Sequence, residues 1–246
     1  MNSLSHPQSF SATVNLESLA GLLQPEGNRT TGKYAGLIIR SHFQPIFSLA
    51  HSRTVGFEGL MRPANANGDP VAPLDALASG RDFSHVLNLD RLASAVHVRN
   101  FQQLGADGWL FLNMNTAVFL ESVGDGHFLR DLLVANGLPP QRVVIEILEQ
   151  GVLNELKLAE AVQFFRKQGF LIALDDFGAG HSNFDRVWHL QPDIVKFDRS
   201  MNTQAGNNLG IRRLLPVLVS LLHQSGPRVL VAGQGPAGWA HVGMRA

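Results

Sequence analysis

The chain contains no cysteine, which removes disulfides and thiolate metal sites from consideration and fits a reducing, cytoplasmic setting. It also lacks net charge, since Lys+Arg and Asp+Glu are both 20. A balanced chain has no broad basic face, so binding to nucleic acid is not expected, although a small local anion site remains open. Long apolar runs are missing too. No stretch approaches the roughly 20 residues of a spanning helix, and residues 1–20 carry neither a basic n-region nor a continuous apolar h-region. The expectation is a soluble protein without a membrane span. The ten histidines show no His-x-x-His or His-Glu-x-x-His spacing, so His85, His97 and His189 are read as ordinary helix or core residues. No Gly-x-Ser-x-Gly elbow occurs, so a serine nucleophile is not indicated.

What is present is a core. Hydrophobic residues make up 45% of the 246-residue chain and charged residues 16%, which excludes global disorder. The length fits one large α/β domain with a short extension. Residues 1–40 are expected to be an N-terminal extension or linker. Within it, Asn15 to Leu23 reads as one short helix, with Leu16, Leu19, Leu22 and Leu23 on one face, and Gln24 to Lys33 reads as a polar loop.

From Phe43 the pattern changes to strands alternating with helices. Phe43 to Leu49 reads as a strand, and Ala50 to Arg53 is short enough for a hairpin, which makes the first two strands antiparallel. Helices are expected over Asp82 to Leu104, Phe128 to Ala135, Leu153 to Gln168 and Asn208 to Gln224, each followed by a glycine stop signal. Such alternation implies a parallel sheet or barrel.

Five apolar runs of strand composition end in polar residues suited to metal chemistry: Glu58, Asn113, Glu146, Asp175 with Asp176, and Lys196. A carboxylate at the end of a buried strand is costly unless it is paired or holds a metal. After Asn113 the gaps are 33, 29 and 21 residues, close to the length of a βα unit. In a parallel α/β barrel the C-terminal strand ends meet at one face, where the chemistry sits. Oxygen ligands favour a hard cation such as Mg²⁺ or Mn²⁺. At a strand tip both Asp175 and Asp176 can turn toward one site and serve two metals. Simpler roles stay open at this point: an Asp cap and Gly-rich turn for Asp175 to Gly180, a turn for Asn113, an ion pair with Asp193 or Asp198 for Lys196, and a surface position for Arg62.

The order of motifs resembles a known family. Phe43-Gln44-Pro45-Ile46, Val55 through Arg62, Phe111-Leu112-Asn113, Val144 through Glu149, Ala173 through Ser182 and Asp193 through Ser200 are together similar to the EAL domain, the bacterial cyclic-di-GMP phosphodiesterase. The resemblance runs from about residue 40 to 232. It implies an α/β fold, a modified (β/α)₈ TIM-like barrel with an antiparallel first strand, spanning residues 41–246. It implies hydrolysis of cyclic-di-GMP to linear pGpG with Mg²⁺ or Mn²⁺. By motif position Glu58, Asn113, Glu146 and Asp175 hold one metal, Asp175 bridges and Asp176 serves the second. Lys196 contacts the attacking water, with Glu146 and Asp175 in the catalytic set. Gln44, Leu60 and Arg62 belong to the substrate cleft. Phe177, Gly178, Gly180 and Ser182 fall in the loop that couples dimerisation to the metal site in that family, so a homodimer or a signalling partner protein is implied.

The chain departs from that pattern in three places. Gly59 stands for the signature alanine, which is expected to loosen the strand tip. His181 stands where an aromatic Tyr or Phe is usual. After Val231-Ala232 the family's V-A-E-G-V-E strand is replaced by Gly233-Gln234-Gly235-Pro236, with neither Glu. The expected barrel is therefore C-terminally incomplete, lacking its last strand and helix, and its hydrolysis impaired. A non-catalytic cyclic-di-GMP sensor and a protein-interaction module are the alternatives.

Overall fold

A computed structural model describes residues 13–48, 53–80, 82–125, 127–148, 154–178 and 184–231. Their strands form one sheet in strict chain order, β1 to β9. The first described helix is α1 (Leu16–Leu22), capped by the Asn15 side chain, which accepts from the Ser18 amide, while the Asn15 amide donates to Ser18 Oγ. A hairpin follows, β1 (Leu23–Glu26) and β2 (Arg29–Tyr34), turning at Gly27 with φ +61°. The long strand β3 (Leu37–Ser48) pairs antiparallel with both β2 and β4 (Arg53–Ala64).

The polar loop expected over Gln24 to Lys33 is thus a pair of strands. Its polarity misleads because Thr30 and Gly32 are buried against the long helix α3 (Phe83–Leu104), and Thr31 between them is buried as well. A methyl at Gly32 would meet Leu92 Cγ at 2.7 Å, so only glycine lets β2 approach that closely. The chain division expected near residue 40 falls inside β3.

α3 itself follows from its ends. Asp82 caps its start through the His85 amide, and Gly105 closes it in the left-handed region at φ +60°. Along one side α3 carries Asn88 and Asn100, whose amides hold the N-terminal segment. Asn88 Oδ1 accepts from Val14 N–H at 2.7 Å. Asn100 accepts from Thr30 N–H at 2.7 Å and donates to Thr30 C=O at 2.8 Å. Arg91 donates to Val14 C=O at 2.8 Å. These side chains satisfy backbone groups that the sheet does not.

From β4 onward the strands are parallel: β5 (Trp109–Asn113), β6 (Val143–Leu148), β7 (Leu171–Phe177), β8 (Ile194–Phe197) and β9 (Arg228–Val231). The connections carry α2 (Pro73–Ala78), α3, α4 (Thr116–Asp125), α5 (Phe128–Ala135), α6 (Glu155–Lys167), α7 (Phe184–Leu190), α8 (Arg199–Asn207) and α9 (Leu209–Gln224). This is a TIM-barrel-like α/β fold whose first strand pair is antiparallel. Among the described residues β9 pairs on one side only, with β8, and the barrel is not closed. The Gly233 to Pro236 segment lies outside the described residues.

Strand alternation sorts the side chains into two cores. Leu110, Leu112, Val143, Ile145, Ile172, Leu174 and Val195 point outward into the large core under the helices. Phe111, Val144, Ala173 and Ile194 point inward and fill the barrel, with Ile46, Trp109, Leu171 and Leu230 around them. The barrel interior is a packed plug. The next inward positions along β4, β5, β6, β7 and β8 are Glu58, Asn113, Glu146, Asp175 and Lys196, so the polar residues form the layer directly above that plug.

Candidate metal centre

Each member of that layer is placed by its strand. Glu58 lies opposite Phe111 in the β4–β5 register, and Asn113 opposite Glu146 in β5–β6. Ligand oxygens of Glu58, Glu146 and Asp175 lie within 4.8 Å of one another. Asn113 Nδ2 donates to Glu58 Oε1 at 2.8 Å. Lys196 Nζ sits among the carboxylates, 2.5 Å from Glu146 Oε1 and 3.2 Å from both Glu58 Oε2 and Asp175 Oδ2. Five strand-tip residues separated by up to 138 positions therefore form one cup.

The cup is electrostatically tense. Glu146 is sealed from solvent, and burial pushes its carboxyl well above the ordinary range. The Lys196 ammonium opposes that rise, and the nearby Glu58 and Asp175 add to it. Burial alone would lower Lys196, but the pull of Glu146, Asp175 and Glu58 outweighs it and holds the ammonium charged. Neither Glu146 oxygen accepts a hydrogen bond of normal geometry. A buried carboxylate held only by the Lys196 ion pair, beside two more carboxylates and the Asn113 side-chain amide, is a donor set for a hard divalent cation.

Asp176 stands apart from the three-carboxylate group. Its backbone is in the left-handed region at φ +56°, and the β7–β8 register shifts between Leu174 and Phe177. Aspartate tolerates this conformation better than most residues. The shift breaks the strict alternation that would send Asp175 and Asp176 to opposite faces. Asp176 is half-buried, and burial raises its pKa, with Asp175, Asp198 and Glu58 raising it further and Lys196 lowering it.

Lys196 does not pair with Asp193 or Asp198. Asp193 accepts from the Ile172 amide at 2.9 Å and faces Arg166 at 3.6 Å. Asp198 caps α8 through the Ser200 amide at 2.8 Å. Its influence on Asp176 was not foreseen from the sequence, although an Asp just before a helix is the signal for such a cap.

Gln44 is exposed on β3 opposite Glu58. Leu60 is half-buried and Arg62 exposed, two and four residues beyond Glu58 on the same face of β4. Arg62 donates to the Met61 carbonyl at 3.0 Å. Among the described residues no hydrogen bond or ion pair joins Gln44, Leu60 or Arg62 to the cup. Phe177 is buried with its ring edge-on to Phe184 and Phe197 at 5.2 and 5.5 Å. Gly178, at φ +93°, lies against Met201, where a Cβ would meet Met201 Cγ at 2.9 Å. Gly180, His181 and Ser182 lie outside the described residues.

The family model of the EAL domain matches residues 38–233. The chain belongs to the EAL domain family. This EAL domain is 30% identical over 169 residues to the probable cyclic di-GMP phosphodiesterase PdeB of Escherichia coli K12, covering 65% of this chain and 31% of that protein. It spans 27% of an Azorhizobium caulinodans protein to which it is 29% identical over 202 residues. The chain thus covers about a third of the length of these curated relatives. In fold it is similar to the manganese/cy-diGMP complex of Klebsiella pneumoniae BlrP1 at pH 6, with a TM-score of 0.72 and 22% identity over 87% of this chain and 52% of that one. No helix among the described residues is long and apolar enough to cross a membrane.

Proposed function

We propose that this EAL domain hydrolyses cyclic-di-GMP to linear pGpG. The observation that carries the reading is the convergence of Glu58, Asn113, Glu146 and Asp175 around the Lys196 ammonium. Relatives named as cyclic di-GMP phosphodiesterases support it. Glu58, Asn113, Glu146 and Asp175 would hold Mg²⁺ or Mn²⁺, and Asp176 would serve a second ion. The bound cation supplies Lewis-acid polarisation of the phosphate and a water of lowered pKa.

The chain's own groups do the rest. Asn113 fixes the rotamer of Glu58 by its 2.8 Å hydrogen bond, so one carboxylate oxygen is held in place before substrate arrives. Lys196 keeps its proton and offsets the phosphate charge at the reacting centre. Arg62, on the same strand face, offers a planar fork to the second phosphate. Hydrolysis forms one P–O bond from water and breaks the P–O3′ bond, and the leaving 3′ oxygen takes a proton. The domain acts as a soluble, cytoplasmic unit, as a dimer or with a signalling partner.

Purified protein with Mn²⁺ and cyclic-di-GMP is expected to release pGpG. Product no greater than that of the Glu146→Ala control overturns the reading. The replacement of the expected Glu by Gly233-Gln234 favours one second reading, a sensor that binds the dinucleotide without turnover. Calorimetric binding with no pGpG selects it, and absence of binding leaves the protein-interaction module.

A further inference from the structure

We propose that His97 is a positioning residue for the carboxylate cup, matched to the glycine at position 59; this rests on the reading of Glu58 as a metal ligand. Glu58 and Gly59 are neighbours on β4, so they face opposite sides of the sheet. Glu58 looks into the barrel and position 59 looks out at α3. An added Cβ at Gly59 would meet His97 Cγ at 3.0 Å and His97 Cβ and Cδ2 at 3.3 Å. The imidazole therefore fills the space that the methyl of an alanine would take.

The ring has no room to retreat. His97 is buried on α3, with Nδ1 2.7 Å from Ser41 Oγ. Ser41 Oγ also accepts from Asn100 Nδ2 at 3.4 Å, which leaves its own proton free to go to the imidazole nitrogen. The Phe43 ring stands edge-on to the imidazole with centroids 6.3 Å apart, and Phe43 is the cross-strand partner of Gly59. The ring is thus wedged between α3 and the two strands at the residue that follows Glu58. It sets the height of β4 over α3, and through the backbone it sets how far Glu58 reaches toward Asn113 and Lys196. The freedom expected from a glycine at the strand tip is taken up by this contact.

Methyl and imidazole compete for one volume, so each single change disturbs Glu58 and the paired change compensates. The test uses the full chain in a four-protein cycle: wild type, Gly59→Ala, His97→Ala and Gly59→Ala/His97→Ala. The first readout is the side-chain carboxyl ¹³C signal of Glu58 in metal-free protein, assigned with Glu58→Gln. The second is Mn²⁺ affinity by calorimetry. Each single variant is expected to displace the Glu58 signal and to weaken Mn²⁺ binding about tenfold, as loss of a group supporting a metal ligand does. The double variant is expected to return both readouts toward wild type. His97→Asn takes the place of His97→Ala should the latter not fold. Additive effects, or a Glu58 signal unmoved while the urea midpoint falls, overturn the proposal. Wild-type protein that binds no Mn²⁺ yet shows the compensating Glu58 shift keeps His97 in this role and sinks the metal reading alone.

Discussion

Lys196 and Glu146 meet above the apolar plug of the barrel, Nζ to Oε1 at 2.5 Å, with side-chain exposures of 8% and 0%. Among the described residues the lysine is the only cation in contact with three carboxylates that would otherwise repel one another in a buried site. Each side of the cluster thus depends on the other in the metal-free protein. This dependence determines how the cup responds to removal of either partner.

Replacing Lys196 with Met leaves Glu146 buried without a counter-charge. The expected cost is about 3–5 kcal/mol in the metal-free protein, read from urea unfolding midpoints. Adding Glu146→Gln to Lys196→Met is expected to recover much of that loss, because the uncompensated charge is gone. A single variant as stable as wild type would contradict the burial of this pair.

Mn²⁺ is expected to stabilise the wild-type protein in proportion to occupancy, by about 2.7 kcal/mol at one hundred times Kd. Chelation with EDTA reverses the gain. On the proposed function, Glu146→Ala is expected to remove both the response to Mn²⁺ and the release of pGpG. Thermal melts with and without the ion read this directly.

His97 gives an acid-side pH dependence. Burial, helped by the nearby Arg62 charge, pushes its pKa down to about 4, against about 6.5 for an exposed histidine. Between these values the unfolded chain binds the extra proton and the folded one does not. Stability is therefore present above about pH 6.5 and is lost as pH falls toward 4, at up to 1.4 kcal/mol per pH unit from this group. His97→Gln is expected to flatten that part of the curve relative to wild type.

Asp90 acts with the opposite sign. Burial raises its carboxyl to about 7, while the Asn115 amide hydrogen bond at 3.0 Å and the Arg91 charge pull it back. The folded state holds the proton where the unfolded state has released it. This contribution is greatest below about pH 4 and fades as pH rises through 7. Asp90→Asn is expected to raise the melting temperature at pH 8, with the gain vanishing near pH 4.

Asn100→Ala removes both bonds to the Thr30 backbone and leaves a buried N–H and C=O without them. A loss of about 2–3 kcal/mol is expected in urea unfolding. Faster proteolysis confined to residues 13–36 would accompany it. An unchanged cleavage pattern would show that the hairpin is held by its apolar contacts alone.

The cup was legible because each of its residues ends an apolar run, and strand alternation carries them to one side. α3 was legible for the same local reason, with Asp82 and Gly105 marking its ends. The β1–β2 hairpin was not. Thr30 is tied to Asn100 of α3, 70 residues away, Gly32 packs on Leu92, and nothing local distinguishes them from a loop. The left-handed Asp176 was hidden as well, because its conformation answers to a register shift between β7 and β8. The short helices α4 and α8 lacked a strong apolar period. His97 read as an ordinary core residue because its significance lies in which glycine it faces.

The anchoring of Val14 and Thr30 to α3 spans 74 and 70 residues of sequence. A ribosome adding about 5–20 residues each second exposes the first hairpin for several seconds before Asn88 and Asn100 exist to receive it. During synthesis these two strands are orphans, and their docking must wait for a helix encoded far downstream.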